Sequence, residues 1–126
     1  MNNQIAILGA GAAGMVTAAW LLQNGHDVIV WDTEAQSRED FEQANVYGLS
    51  VEGPGFTAIN KLPEMTHNLS NAMKADRLII CVSSGRQQAL AEAMVPFLRE
   101  EQAILLCPGN LGSVIFFRTF QTQNKS

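Results

Sequence analysis

The chain places three glycines within six residues, Gly9-Ala10-Gly11-Ala12-Ala13-Gly14, directly after the apolar run Ile5-Ala6-Ile7-Leu8. A run this short and this uniformly apolar predicts a strand buried on both faces. From Ala12 to about Asn24, Met15, Ala18, Ala19 and Leu22 recur at steps of three and four, which predicts a helix. Gly25 supplies the left-handed stop that such a helix favours. A second strand-like run, Asp27-Val28-Ile29-Val30-Trp31, follows and is closed by Asp32. Strand, tight turn, helix, short loop and strand together make the crossover that parallel strands require.

In that setting each glycine has its own physical task. Gly9 permits the tight turn out of the strand. Gly11, without a side chain, lets a pyrophosphate approach the backbone. Gly14 lets the helix lie close to the sheet. The phosphates of a dinucleotide would then meet the unpaired N–H groups and the positive dipole end of the helix beginning near Ala12. The set Gly9, Ala10, Gly11, Ala12, Ala13 and Gly14 is therefore expected to form the cofactor loop. Asp32 stands 18 residues after Gly14, close to the separation of about 20 between such a loop and the acid that binds the ribose hydroxyls. A carboxylate there accepts from the adenosine ribose and repels the additional phosphate of NADP, so NAD is the expected cofactor and NADP is less favoured. A solvated turn acid is the competing reading of Asp32. Thr33 follows where NADP binders often carry a base, and Arg38 is read as a charge on a solvated helix face.

The alternation continues. Glu34 to Asn45 is expected to be helical, Leu49–Val51 and Phe56–Ile59 to form short strands around Gly53-Pro54-Gly55, and Ser70–Lys74 to form a short helix. Arg77–Val82 is a strong strand; Gly85–Glu100 is an amphipathic helix that Pro96 bends or ends. Ala103–Cys107 is the last strand, stopped by Pro108-Gly109, and Gly112–Phe120 begins a further helix. This order predicts an α/β fold of the Rossmann type, a doubly wound, mostly parallel sheet with helices on both faces. Residues 1–120 would be one dinucleotide-binding domain, with 121–126 a polar tail. Ligands of such sheets lie beyond the carboxyl ends of the strands. That brings Val82, Ser83 and Ser84 after one strand, and Pro108 and Asn110 after the next, into the expected site. Asn110 reads either as a hydrogen-bonding partner of the nicotinamide ribose, carboxamide or substrate, or as a turn residue after Pro-Gly.

Charge excludes one function class. With 8 Lys and Arg against 12 Asp and Glu, the net charge is −4, and no basic stripe offers a grip on nucleic acid. No apolar run approaches the length of a membrane span, and Met1-Asn2-Asn3-Gln4 lacks the basic lead of a secretory signal; a cytoplasmic protein is expected. Cys81 and Cys107 sit in apolar runs far from any C-x-x-C spacing and read as small buried core residues.

Taken together, Gly9-Ala10-Gly11-Ala12-Ala13-Gly14, Gly25-His26-Asp27-Val28, Val82-Ser83-Ser84 and above all Pro108-Gly109-Asn110-Leu111-Gly112 resemble the N-terminal NAD(P)-binding domain of octopine/nopaline-type opine dehydrogenases. The resemblance runs from Gln4 to Phe120. Ketopantoate reductases and glycerol-3-phosphate dehydrogenases are similar in outline, although the former usually carry an Asn-Gly element where this chain has Pro108-Gly109-Asn110. Ser83-Ser84 departs from the proline-containing turn the opine family often has. The resemblance implies a domain that holds NAD(P)H for the reductive condensation of an amino acid with an α-keto acid. It also implies that the catalytic His and Asp belong to a second, helical domain, which these residues do not include.

His26 and His67 are read as surface loop histidines, and no catalytic residue and no metal site are expected. The domain is therefore expected to bind NAD(H) without turning over an opine unaided. Val114, Ile115, Phe117 and Phe120 would give a short helix an apolar face, which either pairs with another copy or partner chain or covers the sheet. A free-standing dinucleotide-sensing module, like the regulatory domains of potassium transporters, is the alternative to an enzyme's cofactor domain. The cofactor domain of a ketopantoate reductase-like enzyme is another.

Overall fold

A computed structural model describes residues 4–47 and 62–106 of the chain. Its elements follow the order β1 (Ile5–Leu8), α1 (Ala12–Gln23), β2 (Val28–Trp31), α2 (Glu34–Tyr47), β3 (Glu64–Thr66), α3 (Leu69–Ala72), β4 (Arg77–Ile80), α4 (Ser84–Met94) and β5 (Ala103–Leu106). The five strands form one sheet in the order β3-β2-β1-β4-β5, and every pairing is parallel. β1 is central: Ile5 to Leu8 pair with Val28 to Trp31 on one side and with Arg77 to Ile80 on the other.

Period-two alternation sorts the central strands onto two faces. Ala6, Leu8, Ile29, Trp31, Leu78 and Ile80 meet Ala72 and Met73 from the α3 region and Leu90, Ala91 and Met94 of α4. On the opposite face Ile5, Ile7, Val28 and Val30 meet Ala18 of α1 and Phe41 of α2, with Met15, Leu21 and Leu22 packed alongside. Helices thus cover both faces, which is why β1 and β2 are apolar at every position. The sheet reverses direction of growth between β1 and β4. In open α/β sheets such a switch point leaves a crevice at the carboxyl ends of the strands.

Local sequence sets the boundaries. Gly25, at φ +85°, ends α1; its N–H reaches the Leu22 carbonyl at 3.1 Å and the His26 N–H reaches that of Leu21 at 3.0 Å. These two bonds are the Schellman arrangement, which needs a residue at ease in the left-handed region. α4 stops at Met94, and a 3₁₀ turn, Val95–Phe97, carries Pro96. The expected helix to Glu100 is therefore shorter, because proline supplies no N–H to an α-helical ladder. At the amino ends of the strands Arg99 donates to Asp76 at 3.0 Å and to the Lys74 carbonyl at 2.9 Å, while Gln102 donates to the Met73 carbonyl at 2.8 Å. These bonds tie the α3–β4 turn to the entry of β5, opposite the crevice.

Two expectations change. β3 is an unforeseen strand: Glu64-Met65-Thr66 is three residues long and half-exposed at the sheet edge, so it lacks the apolar run that announces a central strand. Cys81 is half-buried rather than buried. The strands expected over 49–51 and 56–59, Cys107, and the helix from Gly112 with Val114, Ile115, Phe117 and Phe120 lie outside the described residues. Among the described residues, no helix is long and apolar enough to cross a membrane.

Candidate functional site

The turn from β1 into α1 is wedged between its neighbours. Gly9 has φ +122°, a conformation that side-chain-bearing residues avoid. Its N–H donates to the Trp31 carbonyl of β2 at 2.7 Å. A Cβ at Gly9 would lie 2.8 Å from the backbone C and O of Cys81, just beyond β4. Gly14 is tighter still: a Cβ there would stand 1.8 Å from the Gly9 carbonyl oxygen and 3.4 Å from Ile7 Cγ2. The first turn of α1 thus rests directly on the loop that starts it.

Gly11 differs. Among the described residues a Cβ added there meets nothing within 4 Å, and its φ of −73° and ψ of −171° suit any residue. The packing of the described residues therefore demands glycine at 9 and 14 but gives no reason for glycine at 11. Gly11 is also the N-cap of α1 and offers no side-chain cap. The first turn-closing bond runs from the Met15 N–H to the Gly11 carbonyl at 2.9 Å. The amides of Ala12, Ala13 and Gly14 precede it, at the positive end of the helix dipole.

Asp32 ends β2 as a buried carboxylate, only 2% exposed. Its Oδ2 accepts from the Ala10 N–H at 2.9 Å and its Oδ1 from the Thr33 N–H at 2.7 Å. Arg86 adds Nη1 to Oδ2 at 3.3 Å and Nη2 to Oδ1, an ion pair of fork-like geometry. Burial alone pushes the Asp32 carboxyl up. The Arg86 hydrogen bonds, the two backbone amides and the Arg86 charge outweigh it and hold the group below the usual carboxylate range. A solvated turn acid is therefore not what Asp32 is. It is the buried joint between the glycine loop, the β2–α2 turn and α4.

Val82, Ser83 and Ser84 carry the chain from β4 into α4. Val82 is buried, whereas Ser83 and Ser84 are exposed at the crevice end of the sheet. Gln87, one turn into α4, is buried and donates from Nε2 to the Val82 carbonyl at 3.4 Å. Its Oε1 is buried with no partner among the described residues.

His67, directly after β3, joins the other flank. Its Nδ1 lies 3.2 Å from the Asp32 carbonyl and 3.3 Å from Ser37 Oγ. Ser37 is buried and donates to the Thr33 carbonyl at 2.9 Å. A carbonyl only accepts, so Nδ1 is the donor toward Asp32 in this arrangement. The ring stacks on Phe41 of α2, centroids 4.9 Å apart at 21°.

Of the residues singled out from sequence, Gly9, Ala10, Gly11, Ala12, Ala13, Gly14, Asp32, Val82, Ser83 and Ser84 all lie at the carboxyl ends of β1, β2 and β4. Ala10 differs in one respect, because its N–H is committed to Asp32. Pro108, Asn110 and the Arg38 side chain lie outside the described residues. Arg86 and the bonded role of His67 were not anticipated. Arg86 is 54 residues from Asp32 in sequence, and only the order of the strands brings the two together. His67 gives no signal in a polar stretch, although it does follow a short β-edge segment.

Comparison with known proteins places the chain among dehydrogenases and reductases. Residues 5–114 match the family model described as ketopantoate reductase PanE/ApbA. An opine dehydrogenase from Arthrobacter sp. strain 1C is 30% identical over 98% of this chain and 34% of its own. A glycerol-3-phosphate dehydrogenase [NAD(P)+] from Parvibaculum lavamentivorans is 27% identical over 83% of this chain and 31% of its own. The structure of a PanE/ApbA family ketopantoate reductase from Ralstonia eutropha JMP134 superposes with a TM-score of 0.73 at 26% identity, covering 91% of this chain and 37% of that one. The chain spans about a third of the length of the curated relatives it matches.

Proposed function

The chain belongs to the ketopantoate reductase PanE/ApbA family, and on that premise we propose that it is the NAD(H)-holding part of an opine dehydrogenase-like oxidoreductase. The observation that carries this reading is Gly11. It is a glycine that the packing of the described residues does not need, at the end of α1 that has no side-chain cap. A pyrophosphate laid against that backbone is the ligand whose approach a side chain would block.

The fit extends along the crevice. The amides of Ala12, Ala13 and Gly14 face the phosphates, with Gly9 and Ala10 shaping the turn. Asp32 takes the adenosine ribose hydroxyls and disfavours a 2′-phosphate, which makes NAD the preferred cofactor over NADP. Val82, Ser83 and Ser84 form the wall on the nicotinamide side, and Pro108 and Asn110 are assigned to it from the sequence. When bound, the cofactor supplies hydride transfer; the residues described here bind and orient it. Proton donation and substrate recognition are assigned to residues beyond this set. In the parent activity the substrates are an amino acid and an α-keto acid, as the likeness to opine dehydrogenase suggests. The family match favours a second reading, the cofactor domain of a ketopantoate reductase. Turnover of the two substrate types by the protein separates these readings.

Calorimetric titration with NADH and with NADPH tests the cofactor assignment. Saturable NADH binding at least tenfold tighter than NADPH is the expected result. Tighter NADPH would overturn the role given to Asp32, and no binding of either would overturn the cofactor reading as a whole.

A further inference from the structure

The pair between Arg86 and Asp32 spans the crevice. Asp32 follows β2, Arg86 lies in the first turn of α4 after β4, and β1 with its glycine loop stands between them in the sheet. A dinucleotide held as proposed above runs from the end of β2, over the glycine loop, to the end of β4. It follows the line that the Arg86 side chain now takes.

Asp32 has no capacity to spare for a ribose diol in this arrangement. Both its oxygens are engaged, each by one backbone amide and one Arg86 nitrogen. The amides of Ala10 and Thr33 are fixed by their turns, so Arg86 is the donor that can leave; its side chain is 30% exposed. Among the described side chains, Lys74, Arg77 and Arg99 stand at the amino ends of strands, and Arg86 is the cation at the carboxyl ends. A guanidinium fork matches a phosphate as well as it matches a carboxylate.

We propose that Arg86 is an affinity-determining residue of the dinucleotide site, whose guanidinium pairs with Asp32 in the free domain and transfers to the pyrophosphate on binding. The exchange leaves the Asp32 carboxylate to the adenosine ribose, so binding of the pyrophosphate favours binding of the ribose. This inference rests on the cofactor reading above. It adds a cation to a phosphate site otherwise made of amides.

The two roles of Arg86 make opposite demands on two probes. In the protein carrying Arg86→Ala, ADP-ribose, which contains the pyrophosphate, should bind about tenfold more weakly, the order expected for losing a charge-assisted hydrogen bond. Adenosine, which lacks it, should bind severalfold more tightly, because its competitor for Asp32 is gone. Chemical-shift titration measures both, and Arg86→Lys should give an intermediate ADP-ribose affinity. If Arg86→Ala is unfolded by its melting curve, Arg86→Lys and Arg86→Gln decide the matter through the same pair of probes. Shifts of the same sign for both probes, or no shift in either, would overturn the exchange. Failure of the unaltered protein to bind NADH or NADPH would instead overturn the cofactor reading, so the two failures are distinguishable.

Discussion

The two ends of the crevice are built in opposite ways. At the glycine loop, Gly11 has room for a side chain among the described residues and α1 begins without a side-chain cap. At the end of β2, Asp32 is buried and its two oxygens are filled by donors from three segments. In the proposed site one half is already shaped as a cradle; the other must be released by Arg86 before it can accept a ribose. A site made this way places its fixed cost of organisation in the loop, where three glycines and a helix end are set by folding. Its adjustable cost lies in a side-chain ion pair. The difference also separates stability from binding, residue by residue.

The sharpest way to break the comparison is to add one methyl group at two places in the same loop. Gly14→Ala forces a Cβ onto the Gly9 carbonyl, which is backbone and cannot step aside. The helix-propensity gain of about 1 kcal/mol does not offset a clash of that severity, and we expect a loss of about 3 kcal/mol or more. Thermal melting would show it as a fall of roughly 10 °C. Gly11→Ala should leave the melting temperature within a degree or two, because its Cβ meets no atom of the described residues. NADH affinity should nonetheless drop at least tenfold. Equal stability losses at the two positions, or full NADH affinity in Gly11→Ala, would erase the distinction drawn between them.

Asp32 gives the next effect in size. Asp32→Asn keeps the shape but removes the charge that Arg86 and two amides surround, at an expected cost of about 2 kcal/mol near neutral pH. The pH dependence has a definite sign. The folded carboxyl lies below its ordinary value, so its stabilising contribution is complete above the unfolded value of about 3.9. It is lost as pH falls through the lower, folded value. Denaturant melts from pH 7 down to pH 2.5 should therefore show the stability gap between the unaltered protein and Asp32→Asn narrowing as the pH falls. A stability gap that stayed constant across this range would mean that Asp32 contributes by packing and not by charge.

How much of this was legible in the sequence follows the same division. The strands β1, β2 and β4 and the glycine loop can be read because continuous apolar runs and closely spaced glycines report local constraints. Asp32 is legible as the acid closing the second strand, since its place relative to Gly14 is fixed by one crossover. Its burial is not, because the donors that bury it include a side chain from α4. Arg86 belongs to the site only because β4 lies beside β1 and not beyond β3, a fact about strand order that no spacing along the chain encodes. β3 escapes for a simpler reason: a three-residue edge strand with one face toward solvent needs no apolar pattern.

The smallest expected effect lies on the flank of the occupied end. His67 holds the Asp32 carbonyl and Ser37 Oγ through Nδ1 and stacks on Phe41, so it supports the backbone of the carboxylate without touching the carboxylate itself. His67→Ala should cost no more than about 1 kcal/mol, because the ring is exposed and Ser37 keeps its bond to the Thr33 carbonyl. If the occupied end is a joint that depends on a well-placed β2–α2 turn, His67→Ala should weaken NADH binding a few fold and leave Gly11-dependent phosphate binding unchanged. Inorganic pyrophosphate, titrated beside NADH, separates the two. A His67→Ala variant that lost pyrophosphate and NADH affinity in equal measure would show the two ends to be a single rigid site, with no division between a cradle that is ready and a carboxylate that must be freed.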